Sequence, residues 1–263
     1  VFAPAPLDYP AAAAVARVQV VTPQRDGRAG LCDLKFAPGS GAHGGYLAAA
    51  GHDRVIDVYR VQAASGAGRG VTLVQVACCR GHTGTVTHLD WSADGTMLMS
   101  NCAAREILFW AMPTGKRMVS HAPHVAAAAW ASWTCVLGFP AIGIWPDGSD
   151  GSDVNAAHRS ADGRLLLTAD DFGTLKLFHC PCVVEDAPFR AATGHCSHVS
   201  CARFLAGDEL AVSSGGSDRS VMLWRIAPLT DDGTDAFRQR AQPISRAAWR
   251  SNGYGHAANP KRG

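Results

Sequence analysis

Gly194-His195 opens a stretch that closes on Asp218-Arg219-Ser220-Val221-Met222-Leu223-Trp224, and related closings occur three more times in the chain. They are Gly51-His52-Asp53-Arg54-Val55-Ile56-Asp57-Val58-Tyr59, Ala104-Arg105-Glu106-Ile107-Leu108-Phe109-Trp110 and Asp170-Asp171-Phe172-Gly173-Thr174-Leu175-Lys176-Leu177-Phe178. Each sets turn residues ahead of an alternating strand that finishes on an aromatic. The aromatics Tyr59, Trp110, Phe178 and Trp224 are 51, 68 and 46 residues apart. A four-stranded propeller blade takes roughly 40–45 residues, so each unit reads as one blade with insertions, the largest in the third.

The residues upstream repeat too. Gly81-His82 opens the second unit as Gly194-His195 opens the fourth. Val86 to Trp91 and Met97 to Ser100 flank Ser92-Ala93-Asp94-Gly95. Val154 to His158 and Leu165 to Thr168 flank Ser160-Ala161-Asp162-Gly163. Asp-Gly between apolar runs is a strong hairpin signal. The first unit supplies Leu31 to Phe36 and Tyr46 to Ala50. The fold expected is all-β: about four blades of a WD-repeat β-propeller, at 15–62, 71–115, 122–180 and 190–226. An extended lead-in at 1–14 precedes them and a basic, extended tail at 227–263 follows.

In such a blade the Gly-His histidine, a strand hydroxyl, the turn Asp and the closing Trp form a buried relay, since buried polar groups need partners. The fourth unit carries His195, Ser214, Asp218 and Trp224 for it. The second carries His82 and Trp110, but Ala104 stands where the Asp belongs, so its relay is expected to be incomplete. The first has Asp53 and Tyr59 without a Gly-His, and the third has Asp171 with an extra turn residue before Phe178.

Apolar residues make up 47% of the 263 and charged residues 17%, enough for a sizeable core and too apolar for wholesale disorder. The formal net charge of +2 argues against nucleic acid as the partner. From Phe237 to Gly263 there are Arg238, Arg240, Arg246, Arg250, Lys261 and Arg262 and no acidic residue, a pattern suited to an acidic partner surface. Nine irregularly spaced cysteines do not form a disulfide framework, and no apolar stretch is long enough to cross a membrane. A reducing cytoplasm with free cysteines is the expectation, and a chain that opens on Val1 reads as part of a longer one.

Other chemistry is weaker than its bland alternative. His179-Cys180-Pro181-Cys182 with His195, Cys196, His198 and Cys201 lacks finger spacing and reads as free blade-edge cysteines rather than zinc ligands. Asp147, Asp150 and Asp153 lack the calcium loop's closing Glu and read as a solvated turn. No nucleophile elbow, phosphate loop or dinucleotide fingerprint is present, so neither catalysis nor a cofactor is expected. Trp130 and Trp133 read as core. Trp145, ahead of Pro146-Asp147-Gly148, stands evenly between core and partner contact.

One stretch departs from any ordinary WD repeat: Trp130-Ala131-Ser132-Trp133-Thr134-Cys135-Val136-Leu137-Gly138-Phe139-Pro140, then Ala141-Ile142-Gly143-Ile144-Trp145-Pro146-Asp147-Gly148-Ser149-Asp150-Gly151-Ser152-Asp153. It resembles the second propeller of the echinoderm microtubule-associated protein-like family, where a Trp-rich segment runs into Gly-x-Trp-Pro-acidic-Gly-Ser-Asp-Gly. Thr87 to Ser92, Glu106 to Trp110 and Asp170 to Gly173 agree, and the resemblance extends over roughly Leu31 to Arg225. It implies tandem atypical propellers, often behind a coiled coil, and a non-catalytic scaffold on tubulin or microtubules. Other cytoskeletal or axonemal proteins are further implied partners, in the cytoplasm or the axoneme of a cilium. The expected partner-binding residues are Trp145, Asp147, Arg238, Arg240, Arg246, Trp249 and Arg250. The tail has two readings, an ordered strap along an acidic surface or a free tail. A general WD-repeat adaptor in signalling, ubiquitin-ligase or intraflagellar transport is the alternative function.

Overall fold

The computed structural model describes residues 29–39, 45–63, 71–119, 128–145, 148–149 and 153–227. Among the described residues, fifteen strands fall into four antiparallel sheets. The first holds β1 (Leu31–Phe36), β2 (Tyr46–Gly51), β3 (Val55–Ala63) and β4 (Val71–Arg80), in that order. The second holds β5 (Val86–Trp91), β6 (Met97–Cys102), β7 (Ile107–Ala111) and the short β8 (Lys116–Arg117). The third holds β9 (Val154–Arg159), β10 (Leu165–Asp170), β11 (Thr174–His179) and β12 (Phe189–Thr193), and the fourth β13 (Val199–Phe204), β14 (Leu210–Gly215) and β15 (Val221–Arg225). This is a four-blade propeller arc, each sheet one blade.

The Asp-Gly turns start these hairpins by a shared device. The Ser92 hydroxyl donates to Asp94 Oδ1 at 2.6 Å and accepts the Met97 N–H at 2.9 Å. Ser160, Asp162 and Leu165 repeat this at 2.7 and 2.9 Å. Gly95 and Gly163 sit at φ 71° and 75°, a region that favours glycine. The inner pair of every blade has a register irregularity at the start of its inner strand, at Leu31/Asp33, Val86/His88 and Val199/Cys201 and, opposite the start of β9, at Ala169/Asp170 of β10.

Blade limits differ from the sequence units in one respect. Val71–Arg80 hydrogen-bonds to β3 and Phe189–Thr193 to β11, so both are outer strands of the preceding blades rather than openings of the next. The sequence repeat runs from Gly-His to aromatic, whereas the sheet closes just before Gly-His.

Pleating explains why blade strands are apolar on both faces. Neighbouring residues point to opposite sides, so Leu98 joins a core shared by blades 1 and 2 while Met99 joins the next one. Likewise Ala157 and Leu166 face the space between blades 2 and 3, and Ala156 and Leu167 the core between blades 3 and 4. Alanine contributes to these cores: Ala48, Ala50, Ala157, Ala169, Ala202 and Ala211 are fully buried in them.

Candidate functional site

In blade 4 the Trp224 indole N–H donates to Ser213 Oγ at 2.7 Å, and Ser213 Oγ lies 2.7 Å from His195 Nε2. His195 Nδ1 is 2.8 Å from Asp218 Oδ2. A carboxylate only accepts, so Nδ1 carries the proton, Nε2 accepts, and the serine hydroxyl donates to it. The strand hydroxyl is Ser213, not the expected Ser214. Adjacent strand residues face opposite ways, and Ser214 Oγ instead meets Ser200 Oγ at 3.1 Å on the exposed side. Burial opposes ionisation of Asp218, but hydrogen bonds from the Ser220 N–H, His195, the Ser220 hydroxyl and the Cys196 N–H prevail and hold its carboxyl down at about 2.

Blade 2 completes the same relay, contrary to the expectation drawn from Ala104. Trp110 Nε1 donates to Ser100 Oγ at 2.8 Å, Ser100 Oγ is 2.6 Å from His82 Nε2, and His82 Nδ1 is 3.3 Å from Glu106 Oε2. Arg105 and Arg219 hold matching positive φ values of 63° and 55°, which aligns Ala104 with Asp218 and Glu106 with Ser220. The carboxylate therefore arrives two positions later, on a side chain one methylene longer. The Thr83 N–H, at 2.8 Å, and then the Cys102 thiol, at 3.2 Å, hold the Glu106 carboxyl down at about 2. Burial lowers the pKa of the His82 ring, only partly countered by Glu106.

The other blades close their turns differently. Asp53 Oδ1 accepts the Val55 N–H at 3.2 Å. In blade 3 the turn is held by Asp170, not Asp171: its Oδ1 accepts the Phe172 and Thr174 N–H groups at 3.0 and 2.9 Å, and its Oδ2 pairs with Lys176 at 3.2 Å. Asp171 accepts from the Asn155 amide on the surface.

The Trp-rich stretch lies between blades 2 and 3. Ala131 N–H donates to the Trp91 carbonyl at 3.0 Å on one side, and Arg159 N–H to the Trp133 carbonyl at 3.0 Å on the other. Its anchor is Asp90, fully buried on β5. Asp90 Oδ2 accepts the Thr134 and Cys135 N–H groups at 2.6 and 2.8 Å, and Oδ1 accepts the Ser132 hydroxyl at 2.6 Å. Asn101 Oδ1 takes the Leu137 N–H at 2.8 Å. Trp130, Trp133, Cys135, Val136, Ala141 and Ile144 then fill one core with Met99, Leu166 and Phe178. A 3-10 segment, Phe139–Ile144, is stitched to the loop after β11 through Gly143 N–H to the Cys182 carbonyl and Cys182 N–H to the Pro140 carbonyl, both 2.8 Å.

Trp145 is half-buried against this core, and its indole N–H donates to the Val136 carbonyl at 3.0 Å. Asp147 and the tail residues Arg238, Arg240, Arg246, Trp249 and Arg250 lie outside the described residues. Among the described residues, one set of three metal-type donors converges, and it is neither of those weighed from the sequence: His82, Cys102 and Glu106. Their separation along the chain matches no finger spacing, so sequence gave no signal for it. No helix among the described residues is long and apolar enough to cross a membrane.

The model of the echinoderm microtubule-associated protein second beta-propeller matches residues 11–226, a span that includes the whole Trp-rich stretch. This chain belongs to that family. It is 43% identical to echinoderm microtubule-associated protein-like 2 of Mus musculus over 202 residues, covering 77% of this chain and 30% of the relative. It is 41% identical to echinoderm microtubule-associated protein-like 1 of Homo sapiens over 207 residues, covering 79% and 24%, and 39% identical to echinoderm microtubule-associated protein-like 3 of Mus musculus over 208 residues, covering 79% and 22%. The chain thus spans less than a third of the length of these relatives.

Proposed function

We propose that the chain is a non-catalytic scaffold that associates with microtubules, in the cytoplasm and, more specifically, on cytoskeletal assemblies such as a ciliary axoneme. The observation that carries this reading is the match through residues 11–226 to a family whose members are named for microtubule association. The blade chemistry agrees with a binding role. The histidines and carboxylates it brings together are spent on hydrogen bonds that hold turns and blades, leaving loops and rims for partners. The basic run from Arg238 to Arg262 adds charge complementarity to an acidic lattice such as tubulin presents.

Co-sedimentation of the purified chain with polymerised microtubules, with free tubulin as the control, tests the reading. Saturable pelleting that weakens with added salt is expected, as is weaker pelleting after removal of 237–263. A folded chain that stays in the supernatant with microtubules would overturn the reading and favour a general adaptor.

A further inference from the structure

We propose that blade 2 is also a divalent-metal site, best fitted to zinc, in which His82 Nδ1, Cys102 Sγ and Glu106 Oε2 are the protein ligands. The three donor atoms lie within 4.8 Å of one another, with Oε2 3.3 Å from Nδ1 and 3.2 Å from Sγ. Zinc bonds of about 2.0–2.3 Å in a tetrahedron place ligands roughly 3.3–3.7 Å apart, so small side-chain shifts close the triangle around an ion. Imidazole, thiolate and carboxylate are the three side-chain ligand types zinc takes. The fourth position falls to water, reached past the exposed Thr83 and the partly exposed Glu106.

Blade 4 shows what an ordinary relay looks like and lacks the site. Cys102 pairs with Val86 as Gly215 pairs with Val199, so glycine stands where blade 2 has its thiol. The cysteine is therefore additional to the relay. It touches Glu106 but takes no part in the chain from Trp110 through Ser100 to His82.

Beyond those small shifts, the relay accommodates the ion by rearranging its protons. With Nδ1 on the metal, the ring proton moves to Nε2 and is donated to Ser100 Oγ. The serine proton turns to the Leu108 carbonyl, 3.4 Å away, and Trp110 still donates to the same oxygen. The imidazole is neutral before and after. Binding releases one proton, from the Cys102 thiol, and the ion's two positive charges are balanced by one thiolate and one carboxylate. The Thr83 N–H continues to orient Glu106.

Anaerobic titration of the reduced chain with cobalt(II), followed by zinc, tests this. One equivalent of cobalt is expected to give a thiolate-to-cobalt charge-transfer band and tetrahedral d–d absorption, both removed by zinc. Cys102→Ser should abolish the charge-transfer band and weaken zinc at least about tenfold, while the metal-free variant still unfolds cooperatively. Glu106→Gln, which keeps an acceptor oxygen for Thr83, should weaken zinc while retaining the band. The paired change Cys180→Ser with Cys182→Ser should alter nothing. A wild-type chain that takes up no cobalt, or a band undiminished in Cys102→Ser, overturns the proposal.

Discussion

Blades 3 and 4 meet directly, whereas blades 2 and 3 meet across a wedge. At the direct boundary β13 gives the Phe204 N–H to His158 Nδ1 at 3.0 Å, and Arg203 reaches the Ala157 carbonyl at 3.2 Å. Asp90 holds the corresponding place on β5, fifth in its inner strand as His158 is in β9. The N–H groups it accepts belong to Thr134 and Cys135 rather than to another blade. The Trp-rich stretch thus stands where a neighbouring inner strand would, and β5 reaches β9 through the His88 side chain, whose Nε2 lies 3.1 Å from the Asn155 carbonyl. An irregular segment is tolerated in a propeller's interior provided its backbone donors are met. A buried carboxylate with two amides and two hydroxyls on it does that more completely than a neutral ring with one. The same substitution of means appears within the blades, where Glu106 does in blade 2 what Asp218 does in blade 4.

The largest expected effect falls on the wedge itself. Trp133 is 2% exposed and lies edge-on to Trp130 with centroids 6.1 Å apart. Trp133→Ala should cost about 3–5 kcal/mol in denaturant unfolding, and a smaller loss than at the comparable Phe204→Ala would mean that the wedge is only loosely packed. Next, Asp90→Ala removes the acceptor of the Thr134 and Cys135 N–H groups and leaves both donors buried. A loss of about 3 kcal/mol is expected, and a neutral result would break the equivalence drawn with His158.

The direct boundary carries a pH-sensitive contact of its own. Burial lowers the His158 pKa to about 4, helped by the positive charges of Arg203 and Lys35. The unfolded ring takes up a proton near 6.5, so between those values the unfolded chain holds more protons. Stability should be level above about pH 6.5 and fall by roughly 3 kcal/mol as pH drops to 4. His158→Asn, which keeps an acceptor for Phe204, should flatten that limb of an acid-unfolding profile. The smallest contrast is at the relay. Ser213→Ala, which strands the Trp224 N–H, should cost about 1–2 kcal/mol, while Ser214→Ala should stay within about 0.5 kcal/mol in thermal unfolding.

Much of this architecture was legible because its signals are local. Asp94-Gly95 and Asp162-Gly163 fixed hairpins whose observed strands begin at the residues expected, Met97 and Leu165. What failed needed three dimensions. Ser213 and Ser214 are adjacent and differ only in the face they present, which pattern alone leaves open. Glu106 was passed over because the motif asks for Asp at position 104, whereas reach and the Thr83 N–H decide the matter. Trp130 and Trp133 were readable as core from size and apolarity. Their route between two blades was not, because the segment has no strand period and is shaped by a carboxylate some forty residues earlier.

Native-state hydrogen exchange at the Thr134 and Cys135 amides tests the central claim directly. If the wedge occupies an inner-strand place anchored on Asp90, both amides exchange as slowly as those of β5 and β13 and lose that protection in Asp90→Ala. Exchange in the wild-type chain as fast as at the exposed Gly148 would contradict the account and make the Trp-rich stretch a surface loop laid against a propeller that does not need it.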